Sequence, residues 1–310
     1  MMTRAHGLLF AGLLCLTLLA FMLALLLAPV MDASLGWQQQ LPRVVAGFSV
    51  GGMLALAGVL LQVLLRNPLA EPYVLGISGG ATAAALAALM LGLGSVWVAS
   101  SAFAGSLLSV AVLFLLVSPA GRRSSDRLLL TGVVLAAGWG ALISFMLVLG
   151  PEPSLGQLLF WLMGDLAHPV PPWWSLPLLG LSLGAAWVMA NSLDLLVHGD
   201  EQAAVLGVEV RRLRLLCYLV ASLLTALAVT LAGPIGFIGL LVPQLMRYLV
   251  GARHALLIPA SLLAGGSLLV LLDLFSRLLV TDGWLPVGVV TAVLGVPVFL
   301  FMLRQQGGAR

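Results

Sequence analysis

The chain has 310 residues, of which 62% are hydrophobic and only 8% are charged. Soluble domains are about half apolar and about a quarter charged, so a mean hydropathy of +1.16 excludes a water-soluble globular protein. The net charge of +3 does not point to a nucleic-acid partner, and we expect none.

Apolar runs separated by polar or Pro/Gly-rich breaks predict an all-α integral membrane protein with about ten spans, because a helix of about 20 apolar residues crosses a bilayer. The first run, 8–29, is longer than the apolar core of a signal peptide, so we interpret it as a span. All the spans fall in one membrane domain, 1–310. They are predicted at 8–29, 44–65, 74–93, 96–118, 128–149, 172–192, 213–232, 238–250, 256–280 and 286–303.

The arginines indicate the orientation of the chain in the membrane. With the N-terminus inside, twelve arginines fall in inner segments, and only Arg43 and Arg277 fall in outer ones. Cytoplasmic loops usually carry the excess of basic residues, so we predict that both termini are cytoplasmic.

The segment RNPLAEPYVLGISGGA, 66–81, follows the second span on the cytoplasmic side. Pro68 and Pro72 prevent a continuous helix, and Asn67 can bind free backbone groups. Arg66 lies near Glu71 in sequence and is a possible partner for it. The residues alone predict a rigid turn, which could be either a gate or a plain linker.

The sequence contains no visible catalytic constellation. It has no lysine, and a Walker A loop needs one on the nucleotide phosphates, so the chain is not a P-loop ATPase. Cys15 and Cys217 lie in apolar runs, and they form neither a disulfide framework nor a metal-type spacing. His168 is a lone loop histidine, whereas transition-metal sites need several convergent ligands. We therefore expect no enzymatic activity, no metal site and no cofactor bound by this chain.

Five sequence blocks resemble, in the same order, those of the FecCD family of ABC importer permeases for iron siderophores, haem and cobalamin. They cover most of 41–304 and read LPRVVAGFSVGGMLALAGVLLQVLLRNPLAEPYVLGISGGA, DRLLLTGV, FWLMGDL, GPIGFIGLLVPQLMR and LPVGVVTAVLGVPVFLFMLR. The resemblance implies ten helices, with an inverted repeat of spans two to five and seven to ten. It also implies a homodimer in the bacterial cytoplasmic (inner) membrane, two ATPase subunits that hold ATP and Mg, and a periplasmic or surface binding protein.

The resemblance also implies a cytoplasmic gate, formed by Asn67, Leu69, Ser125 and Asp126. Asp126 departs from the small hydroxyl residue that some relatives carry. It could instead cap the helix that begins there or pair with Arg127.

The segment 198–210 resembles the short cytoplasmic helices that dock in a groove of the ATPase. Acidic residues suit the N-terminus of such a helix, and a glycine suits its end. The coupling residues are Gly199, Asp200, Glu201, Ala203, Ala204, Val205, Leu206 and Gly207. We interpret Arg211, Arg212 and Arg214 as anchors at anionic lipid head groups.

The two outer arginines need a separate explanation. The resemblance implies that Arg43 and Arg277 dock acidic residues of the binding protein, a role that suits the guanidinium fork. The alternatives are snorkelling at a helix end and a local pair between Arg277 and Asp273 at i, i+4. One relative has a further arginine where this chain has Gln40.

The cargo is predicted to be a ferric siderophore, with cobalamin and haem as alternatives that the path residues do not separate. A secondary transporter without an ATPase is a remote alternative. Such a transporter would need intramembrane acids for ion coupling, and the ionisable residues here lie at helix ends.

Overall fold

The computed structural model describes residues 4–31, 37–117, 125–149, 156, 159–166, 172–279 and 285–307. Throughout these ranges the regular structure is helical and no strand occurs, which confirms the all-α class. Short 3-10 turns cover Pro72–Leu75 and Pro172–Trp174. The α-helices are α1 (Arg4–Met31), α2 (Trp37–Leu64), α3 (Ile77–Met90), α4 (Ser95–Val117), α5 (Ser125–Leu149), α6 (Ser175–Val188), α7 (Ala190–Val197), α8 (Asp200–Val205), α9 (Val210–Ala232), α10 (Ile238–Val250), α11 (His254–Leu278) and α12 (Val287–Gly307).

Several of the helices are long and apolar enough to cross a membrane, so the chain is a multi-pass membrane protein. Among the described residues six helices qualify alone, and α6 with α7 makes a seventh candidate that bends by 53° at a short break. The six are Gly7–Leu27, Gln40–Leu64, Ser95–Leu116, Leu130–Leu149, Val210–Ala232 and His254–Leu278. Three further apolar helices are shorter: Ile77–Met90, Ile238–Val250 and Val287–Met302.

Helix α2 forms the centre of the molecule, since 94% of its apolar window is buried. It packs against α9, α10 and α11. A Cβ added to Gly51 would collide with the Gly265 carbonyl of α11, and one added to Gly58 would collide with the Gly239 carbonyl of α10. These glycines therefore allow the backbones to approach as membrane helices do when small residues meet.

Helix α5 lies at the opposite extreme, because only 6% of its apolar window is buried within this chain. Val134 and Val148 are among the exposed apolar residues on it. A large exposed apolar surface of this kind needs lipid or another protein surface to cover it.

The chain between α9 and α10 is irregular over 233–237. Gly233 and Phe237 both have positive φ, at 66° and 70°. Positive φ is uncommon for a bulky residue such as Phe237, so the surrounding structure has to hold this break in place.

Candidate functional site

The loop that follows α2, here called the NPLA loop (residues 65–76), begins with a tight helix end. The Arg66 amide donates to the Val63 carbonyl, and the Asn67 amide donates to the Gln62 carbonyl. This is the Schellman pattern, in which a glycine usually takes the left-handed position. Arg66 takes that position with a φ of 47°, so its backbone is strained while its side chain remains available for binding.

Asn67 fixes the next turn of the NPLA loop. Its Oδ1 accepts a hydrogen bond of 2.9 Å from the Leu69 amide, and its carbonyl accepts one from the Ala70 amide. Leu69 is exposed. Ser125 begins α5, and the side chains of Ser125 and Asp126 lie outside the described part of the structure. The proposed assembly of these four gate residues therefore stays a prediction.

The second half of the NPLA loop supports the break between α9 and α10. Glu71 Oε1 accepts from the Phe237 amide at 2.5 Å, and the Tyr73 hydroxyl accepts from the Ile235 amide at 2.8 Å. Burial raises the pKa of Glu71, and the hydrogen bond from Phe237 lowers that pKa by a smaller amount. The possible pair between Glu71 and Arg66 is not the one formed, because Glu71 accepts from the backbone of the break and Arg66 binds Asp200.

Helix α8 lies inside the predicted coupling segment and is short, with six residues. Gly199 and Gly207, both with positive φ, bound it at 129° and 87°. Within the helix, the Ala203 side chain is fully buried, while Val205 is 88% exposed. Leu206, directly after the helix, is also exposed. The helix thus presents an apolar surface that nothing in the described part of this chain covers.

Asp200, the first residue of α8, joins three segments in what we call the Asp200 cluster (Arg66, Asp200, Arg214). Its Oδ1 accepts from Arg66 Nη2 and from Arg214 Nη2, the latter at 3.0 Å. Arg214 is largely buried, so the interpretation of Arg214 as a lipid anchor is wrong. Arg212 is exposed and lies 3.9 Å from Glu209.

Asp194 attaches α7 to the start of α11. Its Oδ1 accepts from the His254 amide at 2.9 Å and lies 2.5 Å from His254 Nδ1. Asp194 therefore caps a helix that begins 60 residues later in the sequence. No sequence signal predicts this contact, because a cap is recognisable only when it lies next to the helix that it caps.

Four charged residues form the Asp273 cluster (Arg43, Asp165, Asp273, Arg277) at the other end of α2. Arg43 Nε lies 3.0 Å from Asp273 Oδ2, and Arg43 Nη2 lies 2.8 Å from Asp273 Oδ1. Arg277 Nη2 lies 3.0 Å from Asp273 Oδ2, and Asp165 lies 3.8 Å from Arg43. Two cations and two anions thus balance in a largely buried place, where unpaired charge is costly.

The predicted docking arginines are therefore both engaged within the chain. The i, i+4 pair between Arg277 and Asp273, predicted as an alternative, is formed. The bond from Arg43 to the same carboxylate was not predicted from the sequence, since the two residues are 230 positions apart. Among the described residues, no group of three His, Cys, Asp or Glu side chains could hold a metal ion. His168 lies outside those residues.

Comparisons with known proteins agree with this architecture. The chain is 39% identical over 272 residues to the cobalamin import system permease BtuC of Halobacterium salinarum, covering 86% of this chain and 72% of that protein. It is also 39% identical over 279 residues to the Fe(3+) dicitrate transport permease FecD of Escherichia coli, covering 87% and 85%.

A solved structure described as an inward-facing conformation of a metal-chelate type ABC transporter matches with a TM-score of 0.85 at 29% identity. The match covers 96% of this chain and 99% of that one. Residues 8–305 match the FecCD transport family over nearly the whole sequence. The chain therefore belongs to the FecCD transport family of ABC importer permeases.

Proposed function

We propose that this FecCD-family permease moves a metal chelate, most specifically a ferric siderophore, into the cytoplasm with two ABC ATPase subunits that bind and hydrolyse ATP with Mg. The observation that carries the proposal is α8, a short helix of six residues whose C-terminal end exposes apolar side chains. Positive-φ glycines on both sides set this helix apart from the membrane spans. Its exposed Val205 and Leu206 suit a groove on a partner protein.

The proposed topology has ten spans with both termini in the cytoplasm. The six long helices, the bent pair and the three shorter apolar helices supply that number of segments. Spans two to five and seven to ten would form an inverted repeat. The membrane is then the bacterial cytoplasmic (inner) membrane.

The proposed homodimer covers the exposed apolar face of α5. This helix is long enough to cross the membrane and is barely buried within one chain. The cargo path would run along the axis between two copies, with Asn67, Leu69, Ser125 and Asp126 narrowing its inner end. Opening of this end would follow ATP binding and hydrolysis on the partner subunits.

The proposed outer partner is a periplasmic or surface binding protein that docks on Arg43 and Arg277. Each arginine already binds Asp273, so acidic residues of the partner would share these guanidinium groups with Asp273. Arg277 binds Asp273 through Nη2, at 3.0 Å to the carboxylate, and through Nε, at 3.4 Å to the backbone carbonyl. Arg43 likewise donates to the Asp273 carboxylate through two nitrogens. A partner carboxylate would therefore bind the remaining terminal nitrogen of each arginine.

The relatives support a metal chelate as the class of cargo, but they do not distinguish one chelate from another. Cobalamin and Fe(3+) dicitrate permeases are equally similar to this chain, at 39% identity, and both names refer to a metal chelate. Cobalamin and haem therefore stand as alternatives to a ferric siderophore.

The test is whole-cell uptake in a strain that lacks the gene and in the same strain complemented with it. Labelled ferric siderophores, cobalamin and haem would be offered side by side. We expect loss of ferric siderophore uptake, restored by complementation. If only cobalamin uptake or only haem uptake were lost, that compound would be the cargo and the siderophore would not. Unchanged uptake of all three would contradict the proposed cargo class.

A further inference from the structure

We infer that the contact between Arg66 and Asp200 is the mechanical link through which a displacement of α8 reaches the NPLA loop. The two act as positioning residues in this inference, because their role is to transmit movement. This rests on the proposed function, in which α8 docks on the ATPase and the NPLA loop forms part of the gate. The residues that carry the link are 134 positions apart in the sequence.

The link begins at the point of α8 that a docked partner would move. Asp200 is the first residue of the helix, directly after Gly199, whose φ of 129° permits a sharp change of direction. In the described part of the chain, Asp200 makes both of the ion pairs that α8 forms. A shift of α8 along or across its axis therefore moves the carboxylate that Arg66 binds.

The link ends at the residue directly before the proposed gate. Arg66 holds the left-handed position of the helix end, and the next residue, Asn67, is fixed by backbone bonds to Gln62 and Ala70. The amide of Leu69 is bound to the Asn67 side chain. These hydrogen bonds restrain the backbone between Arg66 and the two gate residues. A displacement of the Arg66 guanidinium therefore also displaces Asn67 and Leu69.

The part of the NPLA loop after Asn67 is bound to another helix, α10. Gln244 of α10 donates to the Pro68 carbonyl at 2.5 Å, and Glu71 binds the Phe237 amide at the start of α10. The loop is thus held between α8 on one side and α10 on the other. A relative movement of these two helices has to change the shape of the loop or break one of its attachments.

The burial of each contact indicates which one can break and be replaced by water. The side chains of Arg66 and Asp200 are 42% and 45% exposed, and exposed ion pairs are weak and easily replaced by water. His254, which binds Asp194 of α7 at the start of α11, is nearly fully buried. We therefore infer that the contact between Asp194 and His254 stays formed and fixes one end of the α7–α8 segment. The contact between Asp200 and Arg66 at the other end transmits movement while it is formed and is made and broken during transport. Arg214 keeps the Asp200 carboxylate paired when Arg66 leaves.

The experiment uses the complete importer in proteoliposomes, with its ATPase, its binding protein and the cargo identified by uptake. It measures cargo taken up per ATP hydrolysed for Arg66→Gln, Asp200→Asn and the double variant. The matched control is Arg212→Gln, which lies outside the coupling segment 198–210 and breaks an exposed control pair with Glu209 that does not reach the NPLA loop.

We expect Arg66→Gln to bind the ATPase and hydrolyse ATP like the wild type, while uptake per ATP falls roughly fivefold to tenfold, the lower range of coupling between sites. The double variant should lose no more than Asp200→Asn alone, since Asp200→Asn already removes the contact with Arg66 along with the bond to Arg214. Arg66→Lys, which keeps a cation opposite Asp200, should restore part of the uptake. Size-exclusion chromatography of each variant in detergent checks that the importer is still assembled.

Unchanged uptake per ATP in Arg66→Gln would overturn the inference, and so would an equal loss in the control pair. Losses that multiply in the double variant would assign the two residues to separate roles and also overturn it. A wild-type chain that fails to bind any ATPase would instead overturn the proposed function, which is read out separately by complex formation.

Discussion

The Asp200 cluster and the Asp273 cluster are both small networks of arginine and aspartate, and they lie at opposite ends of α2. By the rise of 1.5 Å per residue, roughly 30 Å of helix separates Arg43 from the start of the NPLA loop. The Asp273 carboxylate is only 4% exposed, whereas the Arg66 and Asp200 side chains are nearly half exposed. The same chemistry therefore has two uses: the buried cluster holds segments together, and the exposed one can form and break.

The difference follows from the cost of removing charge from water. A buried ion pair is weak evidence for stability, but removal of one partner leaves a charge that is both desolvated and unpaired. An exposed pair gains little and loses little, because water replaces either partner. Substitutions in or beside one cluster, compared with the other cluster, therefore test this difference.

The largest effect is expected from Asp273→Asn, which leaves Arg43 and Arg277 together without the carboxylate that both bind. We expect a loss of about 3–5 kcal/mol of stability, the usual cost of breaking a buried pair. Thermal unfolding of the purified chain in detergent measures it. Arg66→Gln, which breaks only the exposed pair, serves as the control, and a similar loss in both variants would contradict the distinction between the clusters.

A smaller effect is expected on docking of the proposed binding protein. Arg277→Gln removes a cation from the last turn of α11, and we expect docking to weaken by about 1.5–3 kcal/mol, roughly tenfold or more, as for a lost hydrogen bond to a charged group. Arg277→Lys is the control, since it keeps the charge without the fork. Affinity measured by surface plasmon resonance at moderate salt decides it, and an unchanged value for Arg277→Gln would remove the proposed role.

Glu71 tests a single buried acceptor near the Asp200 cluster. Glu71→Ala leaves the Phe237 amide without its acceptor, which costs about 1–3 kcal/mol when the site stays dry. Glu71→Gln keeps an oxygen in the same place and should cost less. Thermal unfolding of the two variants compares them, and equal losses would show that the hydrogen bond is not the reason for the carboxylate.

The pH dependence of the same residue has a definite sign. Because burial raises the pKa of Glu71 above its ordinary 4.5, the folded state favours the protonated acid. The stability that this provides is fully present below pH 4.5, and it is lost as the pH rises to the raised value. Glu71→Gln should remove this part of the pH dependence, and melting curves of both proteins between pH 4 and pH 7 measure it.

The sequence predicted the parts of this fold that depend on local pattern. Apolar runs marked the helices, since a bilayer sets their length, and the four-residue spacing of Asp273 and Arg277 allowed their pair to be named. The bend at Met189 was not predicted, because no proline or glycine occurs between Gly184 and the bend.

The site contacts that matter most could not be predicted in the same way. Arg66 has an acid five residues away, yet it binds one that is 134 residues away. Glu71 is held instead by the backbone of the break before α10. Partners across packed helices are chosen by tertiary structure, and a single sequence gives no distance between such segments.

The smallest effect on stability is expected from Arg66→Gln, the variant that should uncouple transport. Both side chains of its ion pair are nearly half exposed, so we expect a loss of at most about 1 kcal/mol. Arg66 also keeps a positive φ of 47° in the wild type, a strain that glutamine retains and glycine relieves. Arg66→Gly should therefore unfold at the same or a higher temperature than Arg66→Gln while transporting no better.

The salt dependence of thermal unfolding completes the comparison. Raising the salt from 0.1 M to 1 M shortens the screening length from about 10 Å to about 3 Å, which weakens the exposed pair of Arg66 and Asp200 far more than the buried contacts of Asp273. The stability difference between wild type and Arg66→Gln should then vanish, while the difference between wild type and Asp273→Asn persists. If both differences disappeared together, burial would not separate the two clusters, and the assignment of one as fixed and the other as exchanging would be wrong.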